Sequence, residues 1–551
     1  MIEFNTEKLH FLPLGGSGEI GMNLNLYHYN GKWLMVDLGI TFNDSMGVDV
    51  VMPDTTYIED FKDDLVGLVL THAHEDHIGA VPYLWKRFNC PIYATKFTAE
   101  LVRKKLEREG QGGKAIIHEI ELGGTVDLDP FHIEFITLTH SIPEPNALAI
   151  TTPAGIILHT GDWKLDDDPL VGKPTDKTRL REIGDKGVLA LVCDSTNVFE
   201  ENRTESESEV RTSMIELIKK QENRVAVALF ASNVARLETC AVAAAACNRK
   251  AALVGQSLHR MYEAAKKAGY LKDCPPFIKE EVAAKMPRNE VLLLCTGSQG
   301  EAKAALSRIT AAVHPTIDLS EGDTVIFSSR KIPGNEPSII EMQTKLREKG
   351  IKVLVDGPEF THVSGHPSKP ELLEMYDLVR PNILVPVHGE MIHMQAQASL
   401  GKAAGIKNAI VPYNGKVIRL EKDNPQTIDE VPSGRLCIDG KRVVPMTSPH
   451  LKERRKIERE GIAFVTVKIE ADHNFVDPVI TFCGLVFNKA EEQKLKTLFL
   501  KELGIILQKS SRKDFASDFK VEEVCHIAVT RAARDICGRR PFVAVHVIRV
   551  K

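Results

Sequence analysis

Between residues 65 and 70 the chain reads Leu-Val-Gly-Leu-Val-Leu, an apolar run bounded by charge that predicts a buried strand. Alternating runs at 24–29 and 32–36 flank Asn30-Gly31, the signature of a two-residue hairpin turn. Runs at 131–138 and 155–159 predict two more strands, each leading to a histidine. From about Ser206 the period changes. Residues 207–220 have helical spacing, 224–230 form a strand, and 234–247 form an Ala-rich helix. Segments 291–295, 301–312, 324–327 and 338–349 continue the alternation, which predicts a parallel sheet with helical crossovers. Strands return at 352–356 and 382–387, followed by a turn-rich stretch to about Asp439. After a mixed-charge connector at 450–461, the tail predicts strand, strand, helix, helix (521–536) and strand, a small α+β unit.

A length of 551 residues provides for two to four domains, and 43% hydrophobic with 26% charged residues is the balance of a water-soluble globular chain. No apolar stretch reaches bilayer length, so no membrane association is expected. Residues 1–8 show neither a basic start nor an apolar core of a secretory signal. The ten cysteines include no Cys-x-x-Cys pair, which argues against a zinc ribbon or disulfide framework and for a reducing, cytoplasmic location. The net charge of −5 does not advertise a polyanion partner. Such a partner needs a local groove, with metal ions supplying much of the positive charge.

The chemistry concentrates in Thr71-His72-Ala73-His74-Glu75-Asp76-His77-Ile78-Gly79-Ala80, just past the strand at 65–70. In extended backbone His72 and His74 point to one side, and Asp76 and His77 then turn toward a neighbouring point. Two partial coordination shells result, which suits a pair of metal ions in a hydrolase. Further candidates sit at strand ends beside small residues: His140, Asp162 and His388, with Asp162 the natural bridge because a carboxylate can offer one oxygen to each ion. Gly16-Ser17-Gly18-Glu19-Ile20-Gly21 fits a dinucleotide fingerprint, but residues 22–29 alternate like a strand, and without a helix there is no pyrophosphate site. These glycines are expected to line the floor of the hydrolase cleft. Ser232-Asn233, Thr296-Gly297-Ser298 and Ser328-Ser329 each follow a predicted strand and precede a predicted helix. Helix capping explains any one of them; three on one sheet edge point to a groove for a nucleic-acid backbone. His362-Val363-Ser364-Gly365-His366 is a small-residue loop able to close around a phosphate.

His-x-His-x-Asp-His, with Asp37, His140 and Asp162, resembles the metallo-β-lactamase superfamily, and the α/β insertion resembles the β-CASP domain of its nucleic-acid-processing members. Within that group the chain resembles the bacterial ribonuclease J family. The likeness is carried by residues 14–21, Gly47-Val48-Asp49-Val50-Val51-Met52-Pro53-Asp54, Asp194-Ser195-Thr196-Asn197, Phe230-Ala231-Ser232-Asn233, residues 296–301, residues 332–336, residues 362–366 and Pro386-Val387-His388-Gly389-Glu390. The resemblance implies an α/β architecture: a metallo-β-lactamase αββα sandwich (1–205 and 358–448), an inserted β-CASP α/β domain (206–357) and a C-terminal α+β assembly domain (449–551). It implies two divalent metal ions per subunit, zinc first and manganese second. His72, His74, His140 and Asp162 would hold one; Asp76, His77, Asp162 and His388 would hold the other. Asp37 would orient a ligand imidazole, and Asp194 and His366 would be the catalytic proton-transfer pair. Ser232, Asn233, Ser329, His362, Val363, Ser364, Gly365 and His366 would form a pocket for a 5′-monophosphate.

The implied activity is hydrolysis of single-stranded RNA, 5′-to-3′ from monophosphate ends with possible internal cuts, in rRNA processing and mRNA decay, by a homodimer or homotetramer joined through the tail. The alternatives are a DNA nuclease of the same superfamily and a small-ester hydrolase on the same metal fold. Two departures stand out. Asp439-Gly440-Lys441-Arg442 replaces a Gly- and Asp-rich turn, which puts a structural cation near Asp49 in doubt, and Glu144-Pro145-Asn146-Ala147 replaces small residues after His140.

Overall fold

The computed structural model describes residues 5–42, 47–332 and 334–550; Met1 to Phe4 and Pro333, which entered the sequence reading, lie outside them. The chain forms two compact units, one from the described residues of 1–41 and 51–435, the other from those of 42–50 and 436–551.

In the first unit an eight-stranded sheet runs in the order 426–430, 416–420, Leu9–Gly15, Leu24–Tyr29, Lys32–Val36, Leu65–Val69, Ile92–Thr95, Ile117–Ile120. A seven-stranded sheet runs Thr125–Leu128, Phe131–Thr137, Asn146–Thr152, Gly155–His159, Val188–Asp194, Ile383–Val387, Asn408–Ala409. Their inner faces share one core: Phe11, Tyr27 and Leu34 from the first meet Phe135, Ile150 and Val192 from the second. The outer face of the second sheet is covered in turn. Leu158, Leu191 and Leu384 pack with Leu180 of helix Lys177–Lys186 and with Leu372 and Met375 of helix Lys369–Val379. Strand Val188–Asp194 therefore buries both faces, which is why its sequence is continuously apolar rather than alternating. Each such fully buried Leu or Ile contributes on the order of 1.5–3 kcal/mol relative to exposure.

Between Val188–Asp194 and Ile383–Val387 the chain builds the inserted domain, a five-stranded sheet ordered Lys250–Val254, Val291–Cys295, Val225–Leu229, Thr324–Ser328, Lys352–Leu354. All its pairings are parallel. Val225, Val227 and Leu229 face one helical layer, Ala226 and Ala228 the other. The helix expected over 301–312 is only Ala305–Thr310. Gly297 and Gly300 adopt φ of 110° and 80°, and Thr296 Oγ1 accepts from Ala305 N at 3.1 Å, so the helix starts four residues later than the composition suggested.

The second unit holds a three-stranded sheet, Phe475–Cys483, Ile462–Ile469, Phe542–Arg549, with helices Lys489–Lys509 and Asp518–Cys537 sharing its core through Leu495, Phe499, Val521 and Cys525. Within it Asp439 pairs with Arg454 at 3.0 Å and with His450 at 3.1 Å. Among the described residues no helix is long and apolar enough to cross a membrane.

Two sets of parallel strands position the site. Val36 and Val69 are register partners, so Asp37 and the His-rich loop leave one sheet at the same edge. His159 pairs with Val192, and Asp194 with Val387, so Asp162, Asp194 and His388 leave the other sheet together. Parallel strands ending side by side are what gathers residues so far apart in sequence into one cleft.

Candidate metal centre

Seven donor residues converge. One atom each of His72, His74, His140 and Asp162 lie within 4.8 Å of one another, and the same holds for Asp76, His77, Asp162 and His388, with Asp162 common to both groups. The first group centres on His74 Nδ1, 3.2 Å from His72 Nε2 and 3.0 Å from His140 Nε2. In the second, Asp162 Oδ1 lies 3.2 Å from His77 Nε2, and His388 Nε2 lies 3.4 Å from Asp162 Oδ2 and 3.6 Å from Asp76 Oδ2.

Hydrogen bonds on the far side of each ring set its tautomer. His140 Nδ1–H donates to the Gly365 carbonyl at 2.5 Å, leaving Nε2 bare toward His74. Thr71 Oγ1 donates to Asp37 Oδ2 at 2.9 Å and accepts from His72 Nδ1 at 3.0 Å, leaving His72 Nε2 bare. His77 Nδ1–H meets Asp37 Oδ2 at 2.7 Å. Asp37 is fully buried, and its other oxygen accepts from Thr71 N at 2.8 Å. Such outer partners orient ligand imidazoles and raise their basicity.

The charges fit a cation. Burial, then the neighbouring His77, holds His72 well below the usual histidine range; burial and His74 do the same to His140. His74 is lowered to about 4, chiefly by burial. Three imidazoles held neutral thus converge, with His72 Nε2 and His140 Nε2 both bare toward His74 Nδ1, a cluster of nitrogen donors suited to a cation. Burial opposes a charge on His77, but Asp162, Asp37 and Asp76 outweigh it and raise its pKa well above the ordinary value. Those carboxylates demand positive charge there, from a proton or a metal. Asp162 Oδ1, buried, has no hydrogen-bond partner among the described residues. A shell of imidazole nitrogens and carboxylate oxygens suits zinc, and its oxygens admit manganese.

Beside the centre His366 Nδ1 lies 2.7 Å from Asp194 Oδ2, and its ring stacks on His388 with centroids 5.6 Å apart. Asp194 is fully buried and accepts from Thr196 N at 2.8 Å and Thr196 Oγ1 at 2.7 Å. Burial disfavours a charged His366, yet Asp194 overrides it and raises the pKa to about 9.

The residues read as a phosphate pocket are only partly drawn together. Asn197 Nδ2 donates to Ser364 Oγ at 2.7 Å and to His366 O at 3.2 Å, and Arg330, next to Ser329, donates to Asn197 Oδ1 at 2.6 Å. Ser328 Oγ donates to Thr361 O at 2.7 Å, which ties the 362–366 loop to the strand end before Ser329. Gln299 Nε2 reaches Ser329 Oγ at 3.4 Å, and His362 Nδ1 is buried without a hydrogen bond among the described residues. Asn233, by contrast, caps helix Val234–Ala246 and donates to Glu207 Oε1 at 3.2 Å; its side chain is committed to structure. Ser232 and Val363 make no side-chain hydrogen bond in the described structure; Val363 is buried in the core of the inserted domain.

Thr71, Asn197 and the Gly365 carbonyl escaped the sequence reading. Thr71 adjoins the histidine motif, which is a usable signal; the other two act through contacts across more than 160 residues of chain. Glu144, one of the departures, is buried at φ 59° and accepts from Phe97 N at 2.8 Å and from Tyr270 OH at 2.9 Å, which joins the start of helix Lys96–Arg108 to the inserted domain.

Comparison with known proteins gives a consistent set of likenesses. Four family models match: metallo-β-lactamase superfamily over residues 23–190, ribonuclease J β-CASP domain over 222–346, Zn-dependent metallo-hydrolase RNA specificity domain over 358–412, and ribonuclease J C-terminal domain over 449–550. Ribonuclease J of Sinorhizobium meliloti is 40% identical over 554 residues, covering 99% of this chain and 98% of that protein. Ribonuclease J of Corynebacterium glutamicum is 39% identical over 469 residues, 84% of this chain and 65% of that one. A crystal structure of an Enterococcus faecalis protein of unknown function superposes with TM-score 0.53 at 17% identity, over 75% of this chain and all of that one, a likeness of fold.

Proposed function

The chain belongs to the ribonuclease J family of the metallo-β-lactamase superfamily, and from that we propose that it is a zinc-dependent hydrolase of RNA phosphodiesters in RNA processing and decay. The observation that carries this is the shared carboxylate of Asp162 between two His/Asp groups, with the Asp194–His366 pair beside them.

His72, His74, His140 and Asp162 would hold one divalent ion, and Asp76, His77, Asp162 and His388 a second, zinc or manganese. When bound, such ions supply Lewis acidity at the phosphate and lower the pKa of water at the site. His366, held as an imidazolium by Asp194, donates its proton to the departing 3′ oxygen. Asp194 itself is spent on orienting that ring. The 362–366 loop, with Ser329 and Asn197 against it, is our candidate seat for a 5′-monophosphate, with Ser232 a further candidate and Asn233 contributing only as the cap of the helix that follows. That seat would favour 5′-to-3′ removal of nucleotides, with internal cuts where a strand can thread past it.

We place the domain boundaries at 1–205, 206–357, 358–448 and 449–551; the four matched segments fall inside these limits. We also propose a homodimer or homotetramer, working in the cytoplasm, joined through the tail. Phe464 and Val479 are 48% and 60% exposed, while Ala463, Val465 and Ile480 beside them in the same strands are buried in the core, so the strands alternate core residues with exposed apolar ones.

The test is to incubate zinc-loaded protein with one single-stranded RNA bearing a 5′-monophosphate or a 5′-triphosphate and with the matching 5′-phosphorylated DNA, alongside His77→Ala. Mononucleotide release from monophosphate RNA alone, lost in the variant, is expected. Equal or better cutting of DNA would favour the DNA-nuclease reading; no cutting of any strand would return the small-ester reading.

A further inference from the structure

The glycine-rich segment 15–21, which serves no nucleotide, ends next to Asn23, a side chain 3% exposed and wedged between the two halves of the second ligand group. His388, on one side, sits at φ 52°, a left-handed conformation that a non-glycine residue keeps only when its surroundings enforce it. Two contacts from this segment do so. His388 N donates to Gly16 O at 2.7 Å, and His388 Nδ1 lies 3.1 Å from Asn23 Oδ1. Strand pairing continues the clamp, with Ser17 beside Gly389 and Gly18 beside Glu390.

On the other side Asn23 holds the His-rich loop. Its backbone N donates to Asp76 O at 2.9 Å, and its side-chain Nδ2 lies 3.1 Å from Asp76 O and 3.1 Å from His77 Nε2. Asp76 O is a carbonyl and can only accept, so it calls for the amide nitrogen on that side. The amide therefore has one consistent orientation, nitrogen toward the loop and oxygen toward His388. The oxygen accepts, so His388 must carry its proton on Nδ1. Its Nε2 is then bare, facing Asp162 and Asp76.

The glycines make this possible. A Cβ at Gly16 would lie 2.3 Å from Asn23 Oδ1, and one at Gly39 would lie 1.7 Å from Asp76 O. Only glycine lets the two backbones close on the asparagine from either side.

We infer that Asn23 is a positioning residue of the second metal site: it fixes the Nδ1–H tautomer of His388 and the place of the Asp76–His77 turn, so that these three ligands face Asp162 before any ion arrives. The inference rests on the two-ion reading above, and its test separates the two. Zinc content and affinity are measured by competition with a chromophoric chelator for the wild type and Asn23→Ala. We expect two zinc ions in the wild type and, in the variant, one ion held as before with the other bound about 10–100-fold more weakly. Two ions bound with unchanged affinity would overturn the role of Asn23. A wild type that binds no zinc would overturn the two-ion reading and this inference with it. Should the variant not fold, the metal-free wild type still decides. Imidazole ¹⁵N spectra at pH 8, with His388 assigned through His388→Gln, must show Nδ1–H; an Nε2–H tautomer would refute the proposal.

Discussion

Asp37 Oδ2 and His77 Nδ1 lie 2.7 Å apart, in a contact where neither side chain is more than 2% exposed. The carboxylate also accepts from both Thr71 N and Thr71 Oγ1, so one buried anion organises the loop and the ring at once. Asn at position 37 offers a single oxygen for three donors. We expect Asp37→Asn to lower zinc affinity about 10–100-fold, read by chelator competition, with the folded far-ultraviolet spectrum retained.

The Asp194–His366 pair predicts a pH dependence. A group acting as an acid works while protonated, so with a pKa raised to about 9 His366 remains competent through neutral pH and its contribution falls as pH rises past that value. Asp194→Asn removes the partner that raises it, and the descending limb of kcat against pH should move to lower pH. His366→Gln should lower kcat by about 10²–10⁴ while zinc content is unchanged.

Gly365 is a steric test. A Cβ there would lie 2.6 Å from His140 Cε1 and 2.7 Å from His140 Nδ1, while the carbonyl of the same residue holds that ring. Gly365→Ala must displace the ring or break its hydrogen bond. Cleavage should fall at least tenfold, an order-of-magnitude figure for a misaligned ligand, and zinc titration should show weakened binding of one ion.

Arg236 and Glu207 form a buried ion pair in the inserted domain, 2.9 Å apart and at most 3% exposed. Arg236 also donates to Thr361 O at 2.8 Å, and so supports the loop that carries His362 to His366. Removing the cation strands a carboxylate in the interior. Arg236→Met is expected to destabilise the protein by about 3–5 kcal/mol in urea unfolding, with the double variant Arg236→Met/Glu207→Leu less affected.

Phe464→Lys with Val479→Lys places two charges on the exposed face of the tail sheet. If that face joins subunits, light scattering after size exclusion should report a smaller assembly at equal concentration, and an unchanged mass would exclude it.

The sequence alone determined whatever depends on neighbours along the chain. The run 65–70 and the His-x-His-x-Asp-His spacing announce a strand and the loop after it, because side-chain direction follows from local backbone geometry. The strand–helix alternation of the insertion and the five elements of the tail are legible for the same reason, and a glycine motif followed by a strand rather than a helix already excluded a nucleotide site. Resemblance to a family added the proton-transfer pair, for which no local pattern exists. Only the tertiary structure decided which atom of each ring is bare. That depends on hydrogen bonds from His140 to the Gly365 carbonyl and from His388 to Asn23 Oδ1, between residues 225 and 365 positions apart. It likewise decided that Asn233 is consumed as a helix cap, and that helix Ala305–Thr310 starts late because two glycines and Thr296 hold the chain in a turn. Ligand type is written in composition and spacing, whereas tautomer, orientation and charge are set by whatever the fold packs behind each ligand.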